Sequence, residues 1–475
     1  PALDTFLRVL ALDPSQPEIW NAAGICLQET AQPAQAIEFY LRALRLRPNF
    51  AEAHSNLGAV LTKEGDLDAA LDQLQQAVAL DPTLADAHHN LGIAHRARFE
   101  YTAALASLRQ AQRLQPNHAD ILAALGELLS LLAEPQAEPT LRHALALRPD
   151  DPEKHWNLAL ELLQRGDYPA GWREYEGRWQ RPTNQRPQRP FPQPAWRGQP
   201  IQGQTLLLFA EQGLGDTLQF LRYIPSVLAL GARIILEVQR PLRRLAETFA
   251  AHLSPSITVI AEGDPLPAFN AHCPLMSLPF AFASTIDTLP PPLRLTPATT
   301  RHNPTQPLRI GLAWAGNPKH QRDRERSIPP AALLPLFDIP GCTWFSLQTG
   351  AAANHLDTAA IALAKPPLHD FTDTATLLDT LDLVLTVDSA IAHLAAMQAI
   401  PTWIMLPYIT DWRWNRPPAL PGGATGNPWY PQARLFRQPT LPDGRPQTHL
   451  WTPVIADVAR ALQMFSASHL EQSTP

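Results

Sequence analysis

The sequence predicts an α + α/β protein: an N-terminal α-solenoid followed by two Rossmann-like lobes built on parallel sheets. Three observations predict it. Prolines, glycines and alanines recur at a fixed step through the first third. Beyond Gln204, short apolar strands alternate with helical stretches, the pattern of parallel sheets covered by helices. A proline-dense connector separates the two regions. With 475 residues the chain is long enough for two or three domains with real cores.

The repeat comes first. Pro14, Pro48, Pro82 and Pro116 are spaced by 34 residues, and Pro149 follows after 33. Gly24, Gly58, Gly92 and Gly126 keep the same step, as do Ala36, Ala70 and Ala104, and Ala43, Ala77 and Ala111. Small residues at fixed phases let two antiparallel helices pack closely, and each proline ends a unit. The pattern resembles the tetratricopeptide repeat, with Trp20, Gly24, Ala36, Tyr40, Ala43 and Pro48 at its phases. Four whole units fit between about residues 17 and 150, after the second helix of another. A fifth, degraded unit runs from His155 to about Arg178.

Such an array does not catalyse; its concave face binds extended peptide or another protein. Asn56, Asn90 and Asn157 share one phase, where side-chain amides pair with both N–H and C=O of a peptide backbone. Ala22 and Ala124 break that ladder, so ordinary polar groove residues are the alternative. His54, His88 and His155 also recur, too far apart for a shared metal, and read as helix-surface residues.

The connector from Arg181 to Pro200 (RPTNQRPQRPFPQPAWRGQP) forbids helix and favours extended structure, with Trp196 expected to dock it on the first lobe. The strands expected beyond it are TLLLFA, RIILEVQ and SITVIA in one lobe. LRIGLAWAG, TWFSLQTG, DLVLTVD and PTWIMLP belong to the other, after the proline-dense DTLPPPLRLTPATTRHNPTQP. Thr452 to about Met464 reads as a closing helix. The domains expected are 1–178 (repeats), 179–203 (connector), 204–300 (first lobe) and 301–475 (second lobe).

Chemistry concentrates at two strand ends. After Thr205–Ala210 comes EQGLGD, where Gly213 and Gly215 are expected to turn the backbone sharply, as in a dinucleotide-binding G-x-G. Leu218, Leu221, Ile224 and Leu228 then recur at helical spacing and predict one helix after the loop. Leu218 stands in place of a third glycine, and Asp216 repels a phosphate at the helix start. Asp216 therefore presents a base to a hydroxyl, or else simply caps its helix. In the second lobe, the helix after DLVLTVD opens with Asp388 and Ser389, and His393 lies four residues on, on the same face. Its N–H groups suit a diphosphate, with Ser389 and His393 as further donors. The alternative is a plain N-cap and a packed histidine. The loop NPKHQRDRERSIP carries Lys319, Arg322, Arg324 and Arg326 beside Asp323 and Glu325. Lys319, nearest the strand, is the cation expected to face a leaving phosphate. Gln348 is placed to contact a base or to serve only its loop. Trp412, Trp414, Trp429 and Tyr430 either flank a cleft or pack under a long loop; packing is the expectation.

The segments AEQGLGDTLQF, AWAGNPKHQRDRERSIP, DFTDTATLLDTLDLVLTVDSAIAHLAA and DWRW…NPWYPQARLFRQP resemble the glycosyltransferase part of bacterial tetratricopeptide-repeat proteins. That part is similar to lipopolysaccharide heptosyltransferases of the two-lobed GT-B class, and more remotely to protein O-GlcNAc transferases. The resemblance implies a GT-B domain with an acceptor lobe at 204–300 and a donor lobe at 301–475. It implies metal-independent, inverting transfer of a sugar from a nucleotide sugar to a hydroxyl, with no cofactor. By the same resemblance Asp216 matches the base and Lys319 the phosphate-facing lysine, while Asp388, Ser389 and His393 match the donor-binding helix start. Ser389 stands where that family often has threonine, and Ala390 where it often has glycine.

The formal net charge of −6 argues against nucleic acid as the main partner. Cys26, Cys273 and Cys342 form no C-x-x-C, which suits a reducing cytoplasm and offers neither disulfide frame nor zinc site. No apolar run has the ~18 to 20 residues of a membrane span. The only D-x-D, Asp66-Leu67-Asp68, sits in a repeat turn, so a metal-bridged diphosphate has no support. The expectation is a cytoplasmic glycosyltransferase whose repeats recruit a protein or peptide acceptor. The alternative is a non-catalytic scaffold that keeps a degenerate transferase domain. An NAD-dependent oxidoreductase, drawing on Gly213, Gly215 and Glu237, lacks the third glycine.

Overall fold

The computed structural model describes residues 2–181, 189–297, 307–318, 323–356, 361–414, 427–439 and 450–471. The chain divides into two compact units, Pro1–Glu161 and Leu162–Pro475.

The first unit is all helix. After α1 (Ala2–Leu12) come four antiparallel pairs: α2 (Pro17–Glu29) with α3 (Pro33–Leu46), α4 (Ala51–Glu64) with α5 (Leu67–Leu80), α6 (Ala85–Ala97) with α7 (Tyr101–Leu114), and α8 (Ala119–Leu131) with α9 (Ala137–Leu147). Helix α10 (Pro152–Arg165) continues the series across the unit boundary. The repeated glycines explain the pairing. A Cβ at Gly24 would lie 2.6 Å from Tyr40, at Gly58 2.5 Å from Leu74, at Gly92 2.6 Å from Leu108 and at Gly126 2.7 Å from Leu141. Opposite them Ala36, Ala43, Ala70, Ala77, Ala104 and Ala111 are fully buried. Between the helices of each pair one residue takes the left-handed conformation: Ala31, Gly65, Phe99 and Ala133, again 34 residues apart. Only one of the four is glycine.

The recurrent histidines also brace the turns, although His88 and His155 keep the partly exposed helix-surface position expected of them. His54 is buried, and His54, His88 and His155 place Nε2 at 2.9, 3.0 and 2.7 Å from the carbonyls of Pro48, Pro82 and Pro149. Trp20 Nε1–H donates to the Pro14 carbonyl in the same way at 2.8 Å. Each ring supplies the partner that the turn's proline carbonyl lacks.

The second unit begins with the end of α10, α11 (Tyr168–Tyr175) and a 3₁₀ turn at Glu176–Gln180. A Cβ at Gly171 would lie 2.8 Å from Leu163, so the degraded repeat keeps the pairing device. One sheet, all parallel, has the order β3-β2-β1-β4: β1 (Thr205–Phe209), β2 (Arg233–Val238), β3 (Ile257–Ala261) and β4 (Ala271–Pro274). Around it lie α12 (Leu214–Phe220), α13 (Ile224–Ala229), α14 (Arg243–Leu253) and α15 (Leu278–Ala281). The other sheet, also parallel, has the order β10-β9-β8-β5-β6-β7. Its strands are β5 (Leu308–Ala313), β6 (Cys342–Ser346), β7 (Leu363–Ala364), β8 (Leu383–Val387), β9 (Thr402–Leu406) and β10 (Arg434–Arg437). Its helices are α16 (Asp323–Arg326), α17 (Pro330–Phe337), α18 (Phe371–Leu378), α19 (Ala390–Met397) and α20 (Thr452–Glu471). The seven strands read from apolar runs are all present. The short edge strands β4, β7 and β10 were not legible, because an edge strand needs little apolar sequence.

The connector docks as expected. Trp196 is buried; its main-chain N–H donates to the His272 carbonyl at 2.8 Å, and its ring lies 5.5 Å from Phe282. Two expectations change. The helix following β1 is not continuous: a 3₁₀ turn at Leu221–Tyr223, next to Pro225, separates α12 from α13. Nor do the loop glycines make a sharp turn. Gly213 has φ −70°, which any residue adopts, and Gly215 already lies inside α12.

Candidate functional site

Beyond the carboxyl ends of β1, β5, β6, β8 and β9 lies a cavity of about 640 Å³ between the two sheets of the second unit. In open parallel sheets this edge is where loops and helix starts converge on a ligand. The wall includes Gly213, Gly215 and Asp216 after β1, Gln348 after β6, and Asp388, Ser389 and His393 after β8. Those seven expected residues therefore meet at one place. Lys319 and Arg322 lie outside the described residues. Asn56, Asn90 and Asn157 belong to the first unit.

Asp216 sits in the first turn of α12. Its Oδ2 accepts the Gly213 N–H at 2.8 Å, so it does cap the helix. Its Oδ1 is bound by Arg413. Sequence reading misses this arginine as a site residue, although the DWRW segment carries it. Arg413 lies in a 3₁₀ turn (Trp412–Trp414) beyond β9 and is nine-tenths buried. Its Nη1 reaches Asp411 at 2.8 Å and its Nε donates to Gln219 at 2.6 Å. Asn427 holds its carbonyl at 2.6 Å, and the Trp412 ring lies 4.3 Å from its guanidinium. Burial opposes its charge, but Asp411 and Asp216 outweigh that, so its pKa stands above the usual arginine value.

Ser389 is the N-cap of α19, with its hydroxyl 3.2 Å from that of Thr386. Asp388 is half-buried, with part of its surface open to the cavity. Burial first, and the Asp411 charge second, push it up to about 6. His393 is buried, stacked on Trp414 at 5.3 Å, with Nδ1 at 2.8 Å from the Tyr430 hydroxyl. Burial holds its pKa well below the ordinary value, so the imidazole is neutral at pH 7. Gln348 serves its loop: its Oε1 accepts the Trp314 and Ala315 N–H groups at 3.1 and 2.9 Å. Arg326 is the described cation of the NPKHQRDRERSIP loop that reaches the wall, with Nε 3.2 Å from Asp323. Trp412, Trp414, Trp429 and Tyr430 are buried, as packing required.

A second anchor holds the loop before Gly213. Arg178 is buried against Glu211, with two bonds of 3.0 and 2.8 Å, and against Ser277 at 2.7 Å. Tyr175 and Gln212, the latter on the cavity wall, exchange hydrogen bonds through the tyrosine hydroxyl. The asparagines of the first unit bond to the preceding repeat: Asn56 to Asn21, Asn90 to Ser55 and Asn157 to Glu127. Part of their amide capacity thus joins repeats.

A family profile described as "TPR repeat" matches residues 33–65 and 59–98, and one described as "Tetratricopeptide repeat" matches 85–118. The N-terminal region is built of tetratricopeptide repeats. The chain is 28% identical over 389 residues to Protein FlbA of Caulobacter vibrioides. That likeness covers 72% of this chain, a stretch longer than the repeats, and so extends into the α/β part. It spans 60% of FlbA. Among solved structures, the thermophilic TPR protein TTC0263 of Thermus thermophilus is 26% identical, with a TM-score of 0.33, over 35% of this chain and 93% of that one. For Pseudomonas aeruginosa PilF the values are 23%, 0.32, 35% and 75%.

Proposed function

We propose that the protein is a GT-B glycosyltransferase that moves a sugar from a nucleotide sugar to a hydroxyl, without a metal, on a protein or peptide recruited by its repeats. The observation that carries this reading is the cavity at the carboxyl edges of two parallel sheets. It brings a carboxylate, a helix N-terminus and a guanidinium onto one wall. Asp216 takes the proton from the acceptor hydroxyl, which attacks the anomeric carbon opposite the departing diphosphate. The α19 N-terminus with Ser389, and Arg326 on the facing loop, meet the charge that develops there. Lys319 is the further cation expected from the sequence. His393, neutral, serves as a hydrogen-bond donor or acceptor and not as a charge. The repeats fit a protein-binding role, and in this reading they hold the acceptor.

The test is sugar transfer from a panel of nucleotide sugars to cellular proteins, read by mass spectrometry. D216N is expected to lower turnover about 10²–10⁴-fold. Turnover in D216N equal to wild type removes Asp216 from the mechanism.

One observation favours a second reading, a repeat scaffold with a non-catalytic α/β part: both Asp216 oxygens are engaged, by Gly213 and by Arg413. Thermal stabilisation by ADP, GDP, UDP, CDP and CMP separates the two. A ligand at 100 times its dissociation constant adds about 2.7 kcal/mol. If none stabilises the protein at millimolar concentration, the scaffold reading replaces the transferase.

A further inference from the structure

We propose that Arg413 is shared between Asp216 and the donor's diphosphate: without donor it holds the carboxylate, and on donor binding its guanidinium turns to the phosphates and releases Asp216 to the acceptor hydroxyl. This rests on the transferase reading and deepens it.

Three features carry the inference. The first is anchorage. The main chain of Arg413 is fixed by Asn427 at its carbonyl and by Asp411 Oδ1 at its N–H, 3.0 Å away. Its Nη2 edge faces Asp216, and all three charged groups lie on the cavity wall. Turning that edge leaves the main chain in place, but it gives up the Nε bond to Gln219 and pivots about the Nη1 bond to Asp411.

The second is charge. One guanidinium serves two carboxylates, Asp216 and Asp411, and the Asp388 carboxyl lies close enough to feel Asp411. A diphosphate brings at least two more negative charges. The other described guanidinium on this wall, Arg326, faces Asp323. The planar fork of an arginine matches phosphate oxygens as well as it matches a carboxylate, so an entering diphosphate competes directly for Arg413.

The third is the tether on Asp216. Its Oδ2 bond to the Gly213 N–H does not involve Arg413, so the carboxylate stays oriented when the arginine leaves. Departure of Arg413 leaves Oδ1 open to accept a hydrogen bond from the acceptor hydroxyl. The acceptor O–H proton passes to Asp216 as the acceptor oxygen bonds to the anomeric carbon. The bond from that carbon to the diphosphate oxygen breaks, and its electron pair leaves with the nucleoside diphosphate, where Arg413 meets it. The base is thus freed only when a donor is bound.

The experiment is a double-mutant cycle on the full chain, with affinity for ADP, GDP, UDP and CDP measured by calorimetry. The best binder is carried into D216N, R413Q and the double variant. Sharing predicts that D216N binds about tenfold tighter than wild type and R413Q at least about tenfold weaker, with a clearly smaller D216N effect in the R413Q background. R413K, which keeps the charge between the two aspartates but lacks the fork, guards against a folding failure of R413Q. It is expected to bind about three- to tenfold weaker than wild type. If D216N tightens binding equally in both backgrounds, Asp216 acts by repulsion alone and the sharing is refuted while the transferase reading stands. If R413Q and R413K bind like wild type, the sharing is likewise refuted. If wild type binds none of the four diphosphates, the sharing falls, and if CMP also fails to stabilise the protein the transferase reading falls with it.

Discussion

Gly215 and His393 stand so close that a Cβ on the glycine would lie 2.7 Å from His393 Cδ2 and 3.5 Å from the Ala390 Cα. This contact brings α12, which follows the smaller sheet's β1, against α19, which follows the larger sheet's β8. Asp216 and the start of α19 share a cavity because the residue between them has no side chain. G215A is therefore expected to destabilise the second unit by about 1–3 kcal/mol in urea unfolding. G213A, whose Cβ meets only Asp216 Oδ2 at 3.1 Å, is expected to cost under about 1 kcal/mol. Equal effects would show that the loop glycines act through backbone conformation.

In the repeats, G58A drives a Cβ to 2.5 Å from Leu74, between two buried helix faces. A loss of about 1–3 kcal/mol is expected in the unfolding of the full chain, with part regained in the G58A/L74A double variant. No recovery would mean that the cost does not come from that contact.

The left-handed turn positions offer the opposite change. Ala31 and Ala133 carry φ of 56° and 57°, a conformation that strains a Cβ. A31G and A133G should each raise stability by about 0.5–1 kcal/mol. G65A, which has φ 88° and nothing within 4 Å of the added Cβ, should lower it by a similar amount through the backbone alone. Melting temperatures that move the other way would overturn the conformational argument.

Asp388 gives a pH dependence with a defined sign. Its folded pKa of about 6 lies above the ordinary value of 3.8, so between these pH values the folded state binds more protons than the unfolded one. Stability from this group is present below about pH 4 and is lost as pH rises through 6. D388N is expected to be about 1–3 kcal/mol more stable than wild type at pH 7, with the gap closing towards pH 4. Unfolding curves from pH 4 to 8 measure it, and a constant gap would mean that the carboxyl does not titrate there.

The sequence by itself determined the repeats, because a 34-residue step in small residues and prolines encodes a local packing unit that each neighbour copies. It also determined the parallel lobes, since strands buried on both faces must be continuous apolar runs. It named Asp216, Asp388, Ser389 and His393 because each lies within a few residues of a strand end. Only the tertiary structure decided what these groups touch. Arg413 meets Asp216 across 197 positions of sequence, and Gly215 meets His393 because two helices cross. Such pairings depend on how the lobes close, and no local pattern carries that information. For the same reason the short edge strands β4, β7 and β10 and the histidine bonds to proline carbonyls were illegible: each is fixed by a partner elsewhere in the fold, or by a main-chain carbonyl that leaves no mark on residue type.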